Sequence, residues 1–290
     1  MGARLAASFV FLAVLAGSPA CAQQVPKASP TTPVEASRLS ALSDPFPGAA
    51  WPVREPPPAV DKARLLVTAD AAFADPPPAE LPGTRALLII HRGAIIYERY
   101  AEGFSANSLF PSGPMGQILV NAGSGSLATE DKFAPDERHG ANDARTLARS
   151  VAPGAKDRSS RRARIKGFYV ERLFRPLGIA GAVLEFDRGG DIDPVSFAHM
   201  TAAHYARLGY LYLHGGEWNG RRILPTGWAG PWQALPGDPT SFLAAGDGGQ
   251  AILIAPRRNL VIVRLGRTPA AAQPAIRTFL QDLAAMFPPA

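Results

Sequence analysis

The chain has 290 residues, of which 47% are hydrophobic, 19% are charged and one is cysteine, and its formal net charge is +6. This length and composition predict one globular domain with tails. The single cysteine, Cys21, lies in a targeting segment, which excludes disulfides, thiolate zinc sites and a cysteine nucleophile in the mature domain. A basic excess this small is more typical of a soluble protein than of a nucleic-acid-binding one, so we expect no nucleic-acid partner.

Residues 1–22 have the three parts of a secretory signal. Arg4 supplies the positive charge, Phe9–Ala16 is a short apolar core, and Ala20-Cys21-Ala22 is a small-x-small cleavage pattern. The apolar core is too short to cross a bilayer as a permanent helix, so we expect a periplasmic or secreted protein without a membrane span. A lipid anchor at the cysteine is the less favoured alternative, because the residue three positions earlier is a serine rather than a large aliphatic residue.

The next part of the chain changes from a proline-rich segment to regular structure. Residues 23–58 hold nine prolines and few periodic apolar positions, which predicts a linker before a domain over 59–290. Helical spacing follows over Val60–Phe73. Two apolar runs, Arg85–His91 and Ala94–Tyr100, then flank an Arg-Gly pair, which predicts a β-hairpin.

The stretch Phe110–Asn121, FPSGPMGQILVN, has the pattern of a catalytic turn that leads into a helix. Ser112 is a plausible N-cap, and Pro114 falls in the first turn, where a missing N–H is tolerated. The N-terminus of a helix favours developing negative charge, which suits a nucleophile. Yet Pro114 has no reactive group and Gln117 is neutral where an activating base is needed, so the stretch lacks a catalyst.

The second half of the chain alternates helical and strand patterns. Gly123–Ser126 is glycine-rich and predicts the end of the preceding helix, and Lys156–Lys166 holds six basic residues and one acid, which favours a solvated face over a phosphate site. Helices are predicted over Phe168–Phe174, over Ala203–His214, from Leu224–Trp228 and over Gln273–Phe287, with a hairpin of Gln250–Ala255 and Leu260–Leu265. Strands at both chain ends with helices between them predict an α/β (α+β) domain with one antiparallel sheet completed by both termini.

The histidines do not have the spacing of a metal site. None of the five forms a His-x-x-x-His pair with a partnering glutamate, and His199 and His204 are five residues apart, which is poor spacing for one helical face. The glycine-rich stretch Gly246–Gly249 precedes a strand rather than a helix, so it does not fit a phosphate loop. We therefore expect no metal and no cofactor.

Four segments, in this order, resemble the serine β-lactamase / penicillin-binding-protein family, and in particular its class C-type serine hydrolases, which include the 6-aminohexanoate-dimer hydrolases. The first is RALLIIHRGAIIYERYAEGFSANSLF (85–110), and the second is ERLFRPLGIAGAVLEFDRGG (171–190). The third and fourth are ARLGYLYLHGGEWNGRRILPTGW (206–228) and AAGDGGQAILIAPRRNLVIVRLG (244–266). The resemblance implies a β-lactamase/transpeptidase-like fold, with a helical insert shortened around 123–167.

The family's chemistry implies four catalytic groups, and this chain lacks each of them at the matching position. The family uses a serine, a lysine three residues later, a tyrosine from the helical lobe, and a lysine or histidine on the edge strand. Matching the motifs residue by residue places Pro114 on the serine, Gln117 on the lysine, Arg158 on the tyrosine and Asp247 on the histidine. No Ser-x-x-Lys occurs elsewhere in the chain.

Loss of an activated serine alone typically lowers turnover about a million-fold, which corresponds to raising the activation barrier by about 8 kcal/mol. The resemblance therefore implies an exported, monomeric protein of this family that no longer hydrolyses its ligand, with a cell-wall peptide or a small amide or ester in a vestigial cleft. Two alternatives stay open. The first is an active amide or ester hydrolase that uses a relocated serine, Ser112 or one of Ser159 and Ser160, and the second is an eroded paralogue without a function.

Overall fold

The computed structural model describes residues 44–130, 144–193, 197–228, 230, 232–235 and 238–289. They form a six-stranded antiparallel sheet with helices on both faces. The strands are β1 (Thr84–His91), β2 (Ala94–Tyr100), β3 (Phe110–Pro111), β4 (Val183–Leu184), β5 (Ala198–Met200), β6 (Glu217–Trp218), β7 (Arg221–Arg222), β8 (Gln233–Leu235), β9 (Asp238–Ala245), β10 (Ala251–Ala255) and β11 (Leu260–Gly266). The helices are α1 (Lys62–Ala71), α2 (Gln117–Ala128), α3 (Ala144–Val151), α4 (Arg158–Tyr169), α5 (Arg175–Leu177), α6 (Ala202–Leu213) and α7 (Gln273–Ala285).

The main sheet joins strands from both ends of the domain, as the sequence predicts. Its order is β2-β1-β11-β10-β9-β8, so the N-terminal hairpin pairs with the C-terminal strands through β1 and β11. Ile89 lies opposite Ile262, and Leu253 lies opposite the same residue on the other side. Both predicted hairpins and the predicted C-terminal helix are confirmed.

The sheet is buried on both faces, which explains why its strands are continuous apolar runs. Leu88 and Ile90 pack into the larger core beneath the helical lobe, while Leu87 and Ile89 pack into a second core with α1 and α7. On the lobe side, α6 approaches closely at Gly209. A methyl group added there would lie 2.7 Å from Cγ1 of Val261, so only glycine permits this approach.

The helix α2 continues through the glycine-rich stretch that was predicted to end it, so that prediction is wrong. All residues from Ile118 to Leu127 are buried. A methyl group added at Gly123 would lie 2.8 Å from Cδ2 of Leu147, and one added at Gly125 would lie 2.7 Å from Nε1 of Trp228. The small residues therefore serve close packing of a helix buried on all sides, which periodicity does not distinguish from a helix end.

A second predicted helix is also wrong, because the segment from Leu224 to Trp228 forms a turn instead. The N–H of Trp228 donates to the carbonyl of Pro225 at 3.0 Å, and Gly227 has φ of 74°. A left-handed glycine at this position prevents helix propagation. The predicted helix over Phe168–Phe174 is confirmed as part of a longer run in which a π-helical turn, Val170–Phe174, joins α4 to α5.

Part of the predicted linker is packed against the domain. We call residues 44–54 the docked segment. The ring of Phe46 lies 4.6 Å from that of His214 and 5.2 Å from that of Trp218, and Trp51 is buried. Arg207 on α6 donates to the carbonyl of Gly48 at 2.7 Å. Aromatic residues scattered among prolines have no periodic pattern, and so the sequence did not indicate this packing.

Burial of His214 against the docked segment makes stability depend on pH. Burial lowers its pKa to about 4, and its Nε2 atom has no hydrogen-bond partner in the described residues. Because the ordinary value is near 6.5, the unfolded chain binds a proton between pH 6.5 and 4 that the folded chain excludes. Stability therefore falls on acidification, and burial lowers the pKa of His91 and His204 to about 4 in the same direction.

We expect His214→Phe to reduce the loss of stability between pH 7 and pH 5 by about 1–2 kcal/mol. Phenylalanine keeps the ring contacts but cannot take up a proton. The measurement is the free energy of unfolding from urea titrations at both pH values, for the variant and the parent chain. An unchanged difference between the two pH values would contradict a buried, neutral His214.

Candidate functional site

The candidate site begins at a short turn that precedes α2. Residues Gly113–Gly116 form one turn of 3₁₀ helix, which we call the Pro114 turn, directly after β3. It is held from beneath, because β3 pairs with β5 and the N–H of Ser112 donates to the carbonyl of Ala198 at 2.7 Å. The side chain of Phe197 fills the space beside Gly116, where an added methyl group would lie 2.6 Å from Cβ of that phenylalanine. The turn is therefore fixed on a packed base.

Positions 114 and 117 lie on one side of this turn. A 3₁₀ helix has three residues per turn, so residues three apart are eclipsed. Pro114 is exposed and Gln117 is half-buried, so both reach the surface at the start of α2. The geometry thus suits a nucleophile with its base one turn later, but the side chains present are a pyrrolidine ring and a neutral amide. The prediction that Pro114 occupies the first turn is confirmed.

The end of β9 meets the Pro114 turn. A methyl group added at Gly246 would lie 2.9 Å from both N and Cβ of Met115, and 3.3 Å from the carbonyl oxygen of Ser112. The next residues, Asp247–Gly249, form a second 3₁₀ turn, which we call the Asp247 turn, and the carboxylate of Asp247 is exposed. The structure therefore brings two of the four positions that the sequence resemblance assigns, 114 and 247, to adjacent turns.

Arg158 is placed differently. It is the first residue of α4 and is exposed, and the helix begins with a capping box in which the carboxylate of Asp157 accepts from the N–H of Ser160 at 2.8 Å. Its backbone packs against Gly190, where an added methyl group would lie 3.0 Å from its carbonyl oxygen. These contacts attach Arg158 to the loop after β4. The contacts in the described residues do not link it to the Pro114 turn.

The serines named as alternative nucleophiles lie in different environments. Ser112 is fully buried, and its Oγ accepts from the N–H of Ala198 at 3.2 Å and donates to the carbonyl of Gly113 at 3.2 Å. Its expected role as a side-chain N-cap is wrong, because the hydroxyl bonds to β5 rather than to the helix N–H groups. Ser160 completes the capping box at the start of α4, and Ser159 is exposed beside it.

A buried polar cluster one turn below Gln117 was not anticipated from the sequence. The Oδ1 atom of Asn121 accepts from the hydroxyl of Tyr212 at 2.6 Å and from Nε1 of Trp228 at 3.1 Å. Burial raises the pKa of Tyr212 well above its ordinary value, so its hydroxyl stays protonated and donates. The signal was an asparagine inside an otherwise apolar helical run, since buried amides need partners.

A buried arginine holds the Asp247 turn from behind. Arg264 on β11 is fully buried and donates to the carbonyl of Gly248 at 2.7 Å, to Oγ1 of Thr268 at 2.6 Å and, through Nε, to Oγ1 of Thr84 at 3.1 Å. Burial lowers its pKa to about 10, so it remains charged at neutral pH. No carboxylate of the described residues forms an ion pair with it. The available signal was the charge in the strand Leu260–Gly266, which is otherwise apolar.

A cavity of about 480 Å³ lies at the opposite end of α2, lined in part by Ser126, Arg172 and Arg222. At 1.5 Å per residue, the helix places it roughly 18 Å from Pro114, so it is separate from the candidate site.

In the stretches that the structure describes, no group of three or more His, Cys, Asp or Glu side chains could hold a metal ion. Nor is any helix in those stretches long and apolar enough to cross a membrane.

The chain matches no family model and no curated protein, but it resembles solved structures. One is a Bacillus anthracis protein described as a 6-aminohexanoate-dimer hydrolase, with 16% identity over 83% of this chain and 89% of that chain and a TM-score of 0.57. A β-lactamase described from Bacteroides dorei has 11% identity over 78% of this chain and 99% of that chain, with a TM-score of 0.54. A β-lactamase described from Sulfitobacter has 14% identity over 77% of this chain and 98% of that chain, with a TM-score of 0.50.

At these identities the likeness concerns the fold. The mixed architecture, with its antiparallel sheet built from both chain ends and flanked by helices, agrees with that of these neighbours over most of each chain. The expected fold class is therefore confirmed. The chain has the β-lactamase/transpeptidase-like fold, and its structural neighbours include β-lactamase-related hydrolases.

Proposed function

We propose that this chain is an exported protein of β-lactamase-related fold that has lost hydrolase activity and binds a cell-wall peptide or a small amide or ester where the Pro114 and Asp247 turns meet. One observation carries the proposal. The start of the buried helix α2 presents Pro114 and Gln117 at the surface, where a nucleophile and its base would be eclipsed one turn apart.

The nearest hydroxyl does not replace the missing nucleophile. Ser112 is fully buried and its Oγ is used in hydrogen bonds to the backbone of Ala198 on β5 and of Gly113, so attack on a ligand would require the base of the turn to open. The hydroxyl of Tyr205 also lies beside Ser112, and burial raises its pKa far above neutrality, so it cannot act as a base at pH 7. Loss of the serine alone corresponds to about a million-fold in turnover.

The scaffold around the site is retained in spite of the lost groups. Met115 and Gly116 are buried, and Gly246 lies against Met115, so a proline at 114 leaves the packing of the turn intact. Proline is compatible with the first turn of a helix, since its missing N–H has no partner there. A packed site without a nucleophile supports binding without turnover.

Labelling with activity-based probes tests the proposal. We expect the chain to remain unlabelled by a fluorescent penicillin and by a fluorophosphonate, with an active serine hydrolase as the positive control. The matched control is Ser112→Ala. A labelled band that this substitution removes would support the relocated-serine alternative and overturn the proposal, and a cooperative thermal melt of the same sample would argue against an eroded chain.

A further inference from the structure

The basic residues of this protein are concentrated in one short stretch. Residues 144–166 hold eight Lys and Arg and one Asp, a net charge of +7. The whole chain has 30 basic and 24 acidic residues. The other 267 residues therefore hold 22 basic and 23 acidic residues, and their net charge is −1. The entire positive excess therefore lies on α3, α4 and the loop between them. Such asymmetry of charge indicates interaction with an anionic partner.

Six of these eight cations are exposed and form no ion pair in the described residues. We call the exposed side chains Arg149, Lys156, Arg158, Arg162, Arg164 and Lys166 the basic face. In the described part of the chain none of the six forms an ion pair, and the one salt bridge from α4 uses Arg161, which reaches Asp191 at 2.5 Å. Arg162 and Arg164 donate to the backbone carbonyls of Asp187 and Pro153, contacts that orient them but do not neutralise them.

The outer side of α4 is shaped for a flat partner. Ser159, Ala163 and Gly167 follow each other at four-residue intervals and form an exposed ridge of small residues. Arg162 and Lys166, also four apart, lie on one flank of this ridge, and Arg164 lies on the other. Because the ridge has no large side chain, both flanks can reach the same planar surface together.

In the part of the chain that the structure describes, the basic face has no exposed aromatic side chain, which argues against a single-stranded nucleic acid as its partner. The large hydrophobic side chains that are exposed in the described residues are Val53, Val67, Leu109 and Val183, and none of them is on the basic face. Single-stranded nucleic acids are bound through base stacking on aromatic side chains, which this face does not provide. Clusters of four to eight Lys and Arg on a helical surface suit anionic lipid headgroups, which need only positive charge.

We propose that the basic face docks on the anionic headgroups of a phospholipid bilayer. The chain would lie on the membrane surface through charge alone, without inserting apolar side chains, and the contact does not depend on the function proposed for the Pro114 turn. Each cation near an anionic surface contributes about fivefold to the partition constant. With Debye lengths of about 10 Å at 0.1 M salt and 3 Å at 1 M, the attraction is strongly salt-dependent.

The test is co-sedimentation of the full chain with vesicles of phosphatidylcholine alone or with 30% phosphatidylglycerol. We expect binding to the anionic vesicles at 0.1 M salt that is lost at 1 M salt. Binding to neutral vesicles measures any contribution of the apolar segment Phe9–Ala16, which all variants share. The variant Arg164→Glu, Lys166→Glu is expected to bind the anionic vesicles at least about 25-fold more weakly, from two cations at fivefold each.

The matched control is Arg54→Glu, Arg92→Glu, which makes the same change in net charge at exposed residues near the β1–β2 turn. We expect this control to bind anionic vesicles within about threefold of the parent chain. Equal losses in both double variants would show an effect of net charge only and would overturn the proposal. It would also be overturned if duplex DNA, but not the vesicles, bound in a way that depends on Arg164 and Lys166. Circular dichroism melts of each variant identify misfolding. If the double variant misfolds, Lys166→Gln replaces it in the test, and we expect this single substitution to weaken binding about fivefold.

Discussion

The double variant Pro114→Ser, Gln117→Lys is expected to be labelled by a fluorescent penicillin or a fluorophosphonate, whereas we expect the parent chain to remain unlabelled. The 3₁₀ geometry of residues 113–116 eclipses positions 114 and 117, so the new lysine would lie beside the new hydroxyl and could accept its proton. The N-terminus of α2 would favour the developing negative charge. A slow reaction suffices, because labelling accumulates over hours.

Two controls separate this result from nonspecific modification. Gln117→Lys alone has the base but not the nucleophile and is expected to stay unlabelled, and peptide mass mapping of the double variant should place the adduct on residue 114. Failure to label a folded double variant would contradict the proposal that the Pro114 turn can position a nucleophile beside its base. The inactivity that we propose for the parent chain would then need a cause other than its side chains at positions 114 and 117.

Replacing the buried Arg264 with methionine is expected to lower the free energy of unfolding by about 3 kcal/mol. Methionine nearly fills the volume, so the loss comes from the five hydrogen bonds that Arg264 donates. The carbonyls of Gly248 and Pro82 each keep a donor from Thr268, whereas Oγ1 of Thr84 has no other donor in the described residues. Each buried polar group left unsatisfied contributes about 1–3 kcal/mol, partly offset by removal of a buried charge. Urea denaturation at pH 7 measures the change.

The control for this substitution is Arg99→Met. That arginine is exposed and pairs with Asp70 at 2.5 Å on the surface, where an ion pair contributes at most about 1 kcal/mol. Similar losses for the two variants would contradict the assigned role of Arg264. A stability loss confined to Arg264 would agree with a stabilising role of its buried hydrogen bonds, one of which goes to the Asp247 turn.

The sequence predicted the parts of this fold that depend on local patterns. Alternating and continuous apolar runs located both hairpins, and helical spacing located α1, α6 and α7. Prediction failed where tertiary packing decides the structure. The glycines and serines of Gly123–Ser126 are typical of a loop when isolated, but here they allow neighbouring side chains to approach a fully buried helix.

The candidate site was predictable in part, for a related reason. The turn that contains Pro114 is fixed by local chemistry, since a proline in the first helical turn has a strong positional preference. The contact between Met115 and Gly246 joins residues that are 131 positions apart, and only the pairing of the sheet brings them together. Ser112 shows the same limit, because its N-cap pattern is local whereas its actual partner, Ala198, comes from a distant strand.

The docked segment has a consequence for where the polypeptide can be shortened. Ile95 lies on β2, the outermost strand of the main sheet. Its N–H donates to the carbonyl of Pro52, and its carbonyl accepts from the N–H of Arg54. Truncation before the first helix would remove these partners and uncover the rings of Tyr210 and Trp218 at the same time. A strand left open beside an apolar surface is a template for pairing between molecules, so a recombinant fragment should start upstream of Asp44 to stay monodisperse.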